Sequence, residues 1–236
     1  MEIESSRKVK RLHPTERDKR AILFIAEQGF ATIDQLWRVI WGEQKSAAYA
    51  RGRLGALEKS GFLKPVALDN FPFKVFRATL KAKHFVASES KNILPMGDIS
   101  KTIAMHQLEL NEVRIELEVR GIDSWRSAES LIIDPSFKKL GGRHVPDGLY
   151  ITSKGVRTAV EYDRTMRKKE RIKDRMSSYV SELYSPDRSF DRLIYLVTPQ
   201  LERAYRPLFE QGFSSMEDRA VLMTLPQFLE AIKGNE

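Results

Sequence analysis

Residues 145–179 read VPDGLYITSKGVRTAVEYDRTMRKKERIKDRMSSY. A Pro-Asp pair opens a short apolar run, Gly148-Leu149-Tyr150-Ile151. A polar turn at 152–155, with Gly155 in it, separates this from a second run at 156–162 rich in β-branched residues. Two such runs about a glycine-containing turn predict a β-hairpin. The second run ends Glu161-Tyr162-Asp163, and strand alternation sets both acids on one face with Tyr162 on the other. Asp147 opens the partner strand and can face them. Three converging carboxylates repel one another, and burying them needs a counter-charge. A hard divalent cation such as Mg²⁺ prefers oxygen ligands of this kind. The metal set expected here is therefore Asp147, Glu161 and Asp163.

A strongly basic segment follows at 164–175. Arg164, Arg167, Lys168, Lys169, Arg171, Lys173 and Arg175 stand against only Glu170 and Asp174. A basic helix beside a carboxylate cluster suits a polyanion that must meet a metal. The alternative is a solvated helix face beside a hairpin with ordinary surface acids.

The whole chain fits an acidic partner. Its 236 residues carry a net charge of +8 at a sequence pI near 9.6, and nucleic acid is the commonest partner of such a chain. No apolar stretch has the length of a membrane span or a signal peptide. There are no cysteines, which excludes disulfides and thiolate-held zinc or iron–sulfur sites. The four histidines, at 13, 84, 106 and 144, are scattered. A cytoplasmic location is expected.

Outward from the hairpin, the N-terminal part reads as a separate module. Residues 1–14 form a basic arm. Thr15 caps a helix ending at Gly29, and Thr32 caps a second, in which Trp37 and Trp41 are packing residues. Residues 46–60 make a third helix with Ala47, Ala50, Leu54 and Leu57 inward and Gly61 as its stop. Two strand-like runs, 62–68 and 73–80, follow around a turn at 69–72. Three short helices and a hairpin resemble a winged helix over 15–87. Its Ala/Gly-rich third helix would enter the major groove, with Lys45, Tyr49, Arg51, Arg53 and Lys59 toward bases or phosphates and Lys74, Arg77, Lys81 and Lys83 on or near the wing. The alternative for such a module is protein–protein contact. The boundary falls within 82–97. A long helix is expected over 100–120, a strand or strand pair over 122–133 with Glu129 among apolar residues, and a loop over 135–143. The apolar run at 192–197 reads as a buried strand. A helix, several strands, then alternating helices and strands predicts a mixed α+β or α/β sheet flanked by helices over 98–236.

That order resembles the restriction-endonuclease-like, PD-(D/E)XK nuclease core. Trp125-Arg126-Ser127-Ala128-Glu129, Pro146-Asp147, Val160-Glu161-Tyr162-Asp163-Arg164-Thr165 and Arg175-x-x-x-Tyr179 look closer still to the replication-relaxation family of mobile-element proteins, which includes the MOBC-type relaxases. The resemblance implies metal ligation by Asp147 and Glu161, with Mg²⁺ or Mn²⁺ as cofactor. It makes Glu129 a further ligand or supporting group, and Arg175 and Tyr179 a pair that positions the substrate backbone. Arg164, Arg167 and Lys168 would add phosphate contacts. Asp163 stands where many such nucleases have lysine, so Lys173 or Arg175 would supply the missing charge. The implied activity is nicking of double-stranded DNA at an origin-like site, hydrolytic rather than through a tyrosine adduct, since alternation turns Tyr162 away from the metal. A coupling protein or replication machinery would be the partner, and a two-fold homodimer is expected if the site is palindromic. The alternative is a DNA-binding regulator or accessory factor whose nuclease-like domain is degenerate.

Overall fold

The structure is a computed structural model that describes residues 12–67, 73–94, 101–138 and 145–234. Residues 1–90 and 91–236 form two compact units. The basic arm as far as Arg11, the turn at 69–72, Ser100, Lys139 and Arg143 lie outside the described residues.

The first unit opens with α1 (Glu16–Gln28). Thr15 and Asp18 close a capping box at its start, and Gly29 ends it at φ 81°. After the two-residue strand β1 (Ala31–Thr32), Thr32 caps α2 (Ile33–Leu36) in a second capping box, and the chain continues as a widened π-turn over Trp37–Trp41. Ser46 caps α3 (Ala47–Lys59), which buries Ala50, Leu54 and Leu57. Strands β2 (Leu63–Val66) and β3 (Val75–Ala78) pair antiparallel, and β1 joins the other edge of β3. A short helix, α4 (Leu80–Val86), packs on α1.

The second unit has three layers. Its long helix α5 (Lys101–Val119) leads to β4 (Arg126–Ser127), α6 (Ala128–Ile133) and α7 (Pro135–Lys138). The hairpin follows as β5 (Gly148–Ile151) and β6 (Arg157–Asp163), then α8 (Lys169–Tyr184), β7 (Arg192–Val197), α9 (Pro199–Phe213), β8 (Ala220–Thr224) and α10 (Leu225–Lys233). Strand order is β4-β5-β6-β7-β8. The first three strands run antiparallel, and β6, β7 and β8 run parallel, with α8 and α9 as their crossovers.

Strand alternation distributes the side chains between two cores. Ala159, Leu193, Tyr195 and Val197 face Ile172, Met176, Tyr179, Leu183, Tyr205 and Phe209 of α8 and α9. Val160, Tyr162, Ile194 and Leu196 face Leu110, Val113 and Leu117 of α5 and Phe228 of α10. Glycine is required at 148, where a Cβ would overlap the Trp125 indole.

Residues 122–133 depart from expectation and are not a strand or strand pair. Only Arg126–Ser127 pairs with β5, and the apolar run Leu131-Ile132-Ile133 is helical. A short apolar run does not distinguish strand from helix by periodicity. Here the run begins after Ser127, a residue suited to an N-cap, and Ile132 and Ile133 point outward.

The entry to β6 is fastened by Asp191. Its carboxylate accepts from the Arg157 backbone N–H and from Arg157 Nε and Nη2 at 3.0–3.1 Å, and from Arg188. These bonds hold its pKa at about 2, below the ordinary 3.8. A depressed carboxylate stabilises the fold above its unfolded pKa, and that contribution disappears as pH falls through the folded value. Asp191→Asn is therefore expected to cost about 1 kcal/mol in urea unfolding at pH 7, after allowance for solvent screening. The gap should close as pH falls from about 4 toward 2.

Candidate functional site

Strand β6 delivers Glu161 and Asp163 to the face covered by α8 and α9, with side chains 3% and 0% exposed. Arg175, on the second turn of α8, reaches both. Its Nη1 donates to Glu161 Oε1 and lies 3.4 Å from Asp163 Oδ1. Arg167 donates through Nε to Asp163 Oδ1. The Tyr179 hydroxyl donates to Glu161 Oε2 at 2.6 Å. Those of Tyr195 (β7) and Tyr205 (α9) donate to Asp163 Oδ2 at 2.6 and 3.0 Å. Burial and the adjacent carboxylates push all three phenols above their ordinary range.

Asp147 ends the loop before β5. Its Oδ2 accepts the Tyr162 backbone N–H at 2.8 Å, which extends the hairpin ladder by one bond. Its Oδ1 lies 3.4 Å from His106 Nε2, and the His106 ring stacks on Tyr162 at 5.4 Å. Burial pushes the Asp147 carboxyl up to about 7, against the pull of the Tyr162 N–H and Arg175. Burial, with the Arg167 charge, pushes His106 below its ordinary value and favours the neutral ring. On the same side of the sheet, Glu109 accepts from the Tyr162 hydroxyl and pairs with Arg164, both at 2.9 Å.

As a metal centre this arrangement fits poorly. Both oxygens of Glu161 and of Asp163 already accept from guanidinium or phenol groups. Two arginines balance the two buried charges. Among the described residues no three His, Asp or Glu side chains form a metal-holding group. Glu129 is exposed on α6 and takes no part in the cluster. Lys173 lies in a shallow groove with Met176, Val180 and Leu208. The charge expected from Lys173 or Arg175 thus comes from Arg175, with Arg167. Tyr179 is buried and engaged with Glu161, not presented to a substrate. Lys168 is exposed, while Arg164 and Arg167 are ion-paired.

In the first unit, Lys45, Tyr49 and Arg51 are exposed at the start of α3. Lys45 stands 5.5 Å over the Tyr49 ring. A Cβ at Gly52 or Gly55 would meet nothing within 4 Å. Arg53 has a different role. It is forked onto the fully buried Asp18, with Nε 3.0 Å from Oδ1. On the β2–β3 hairpin, Lys74 pairs with Glu58 at 2.7 Å, and half-buried Arg77 sits opposite Lys64 in the register of the strand pair.

Sequence reasoning missed Tyr195 and Tyr205, and it placed His106 and Glu109 along one helix, able to reach a site, with a solvated face expected for most of that helix's polar residues. For Tyr195 a signal existed. In parallel register it stands beside Glu161, so alternation gives both side chains the same face. His106 and Glu109 lie three apart on a helix and share one side, but nothing local aims that side at Tyr162.

Among the described residues no helix is long and apolar enough to cross a membrane. No curated protein and no solved structure matches the chain. The acids of β6 and Tyr179 of α8 fall inside a longer match: the replication-relaxation family model spans residues 23–185, more than two thirds of the chain, and the chain belongs to that family.

Proposed function

We propose that the chain is a duplex-DNA-binding protein that serves replication or the processing of a mobile element's DNA, and that its first unit is a winged helix whose α3 enters the major groove. The observation that supports this best is the outward face of α3. Ala48, Gly52 and Gly55 leave its backbone open to close approach, and exposed Lys45, Arg51 and Lys59 surround them. Among the described residues none of these three cations has an ion-pair partner. Small residues admit a groove wall, and flanking cations meet phosphates. Lys64, exposed on β2, adds charge on the hairpin. The exposed Lys168, Lys169, Arg171 and Lys173 of the second unit supply a further phosphate-binding run.

The test is fluorescence anisotropy with a labelled duplex from the element's own origin region. Lys45→Ala with Arg51→Ala should weaken binding on the order of tenfold to a hundredfold, as removal of two cations from phosphates or base edges implies. The unfolding transition should not move, because both side chains are exposed.

Strand nicking by the second unit is the second reading. The Asp147–His106 corner favours it: both side chains are about a quarter exposed, the carboxyl titrates near neutrality, and the imidazole favours its neutral form. Supercoiled plasmid carrying the origin, incubated with wild type in Mg²⁺, Mn²⁺ or chelator beside Asp147→Ala and Glu161→Ala, decides it. Open circles from wild type that both substitutions abolish establish nicking. Duplex binding without open circles under any condition leaves binding alone.

A further inference from the structure

Among the described residues of the second unit the two acids of β6 are the most deeply buried charges, and they lie on one face two residues apart. Carboxylates so placed repel, and the fold must supply positive charge or protons. In oxygen chemistry they suit a hard dication. This chain instead puts its own cations in the place. Arg175 spans the pair with a single nitrogen, Arg167 takes the outer edge of Asp163, and phenol hydroxyls take one oxygen of each acid. The two guanidiniums already cancel the two charges. A dication added to this set would leave the buried cluster positive and would have to break the Arg175 bond to Glu161.

We infer that Arg175 is the resident counter-cation of Glu161 and Asp163, and that it competes with divalent cations for the same oxygens. The free protein therefore holds no Mg²⁺ or Mn²⁺ at this pair, and removing the guanidinium creates a site for one. The Arg175 side chain is 17% exposed, so it has a path out of the cluster toward solvent. The competition takes place in the free protein, without DNA, and its readout is cation occupancy.

The experiment is Mn²⁺ titration of the full chain, with free Mn²⁺ followed by electron paramagnetic resonance. Wild type should show no saturable site that depends on Glu161. Arg175→Ala should gain one site, with affinity raised on the order of a hundredfold by loss of a unit charge at contact distance. Arg175→Lys keeps the charge and should remain without the site, and Arg175→Ala combined with Glu161→Gln should lose the gained site. If Arg175→Ala does not fold by circular dichroism, Arg175→Gln removes the charge while keeping an amide donor for the carboxylates. A one-to-one Mn²⁺ site in wild type that disappears in Glu161→Gln overturns the inference. So does a folded, uncharged variant at 175 that gains no site.

Discussion

Arg53→Ala is expected to lower the unfolding free energy of the first unit by about 3 kcal/mol, the lower part of the range for breaking a buried ion pair from one side. The reason is Asp18. Its side chain is fully buried, and it ties three things together. It accepts the Thr15 backbone N–H at 2.7 Å and the Thr15 hydroxyl at 2.9 Å, which completes the cap of α1. It also accepts the Arg53 fork from α3. Burial raises the Asp18 pKa, and the Arg53 and Thr15 bonds outweigh that and hold it below the ordinary value. Without Arg53 the carboxylate stays buried with only its cap partners, and the α1–α3 link loses its charge balance. Arg51→Ala, two residues away and exposed, should change stability by no more than about 0.5 kcal/mol. Urea unfolding followed by far-ultraviolet circular dichroism compares the two. Equal stability of the variants would remove the structural role assigned to Arg53 and return it to the candidate DNA face.

The second large effect is expected at Asp163. Asp163→Ala strips partners from Arg167, Tyr195 and Tyr205, and leaves Arg175 with Glu161 alone. Two buried phenol hydroxyls without acceptors cost about 1–3 kcal/mol each, less what relaxation recovers. A total near 4 kcal/mol is expected, as an order of magnitude. Asp163→Asn keeps the shape and an acceptor oxygen, and should cost about half as much. The sign is as informative as the size. An acid held against its neighbours for the sake of catalysis stores repulsion, and removing it commonly stabilises a protein. An acid that completes a neutral network destabilises when removed. A rise in stability for Asp163→Ala would mean that the network around it is under strain.

Much of this architecture is legible in the chain itself. The hairpin, the shared face of Glu161 and Asp163, and the opposite face of Tyr162 follow from a period of two, and Thr15 and Thr32 announce their helices by capping chemistry. Arg175 is legible as a source of charge near the acids. What stays hidden depends on contacts between distant residues. Asp18 and Arg53 are thirty-five positions apart, and no local signal separates Arg53 from Arg51 on the same helix. Tyr205 reaches Asp163 from forty-two positions away. The run at 131–133 misleads for a different reason, because three apolar residues are too few to show a period.

If the first unit is the DNA-reading element, the salt dependence of duplex binding tests it most directly. Affinity of the wild-type chain for the origin duplex should fall linearly in a plot of log K against log salt, because each neutralised phosphate releases counterions. The variant with Lys45→Ala and Arg51→Ala should bind more weakly with a shallower slope, reduced by about one for each phosphate that is no longer neutralised. A variant that binds with wild-type affinity and slope, or a wild type that does not bind duplex DNA at low salt, would contradict a DNA-reading role for α3.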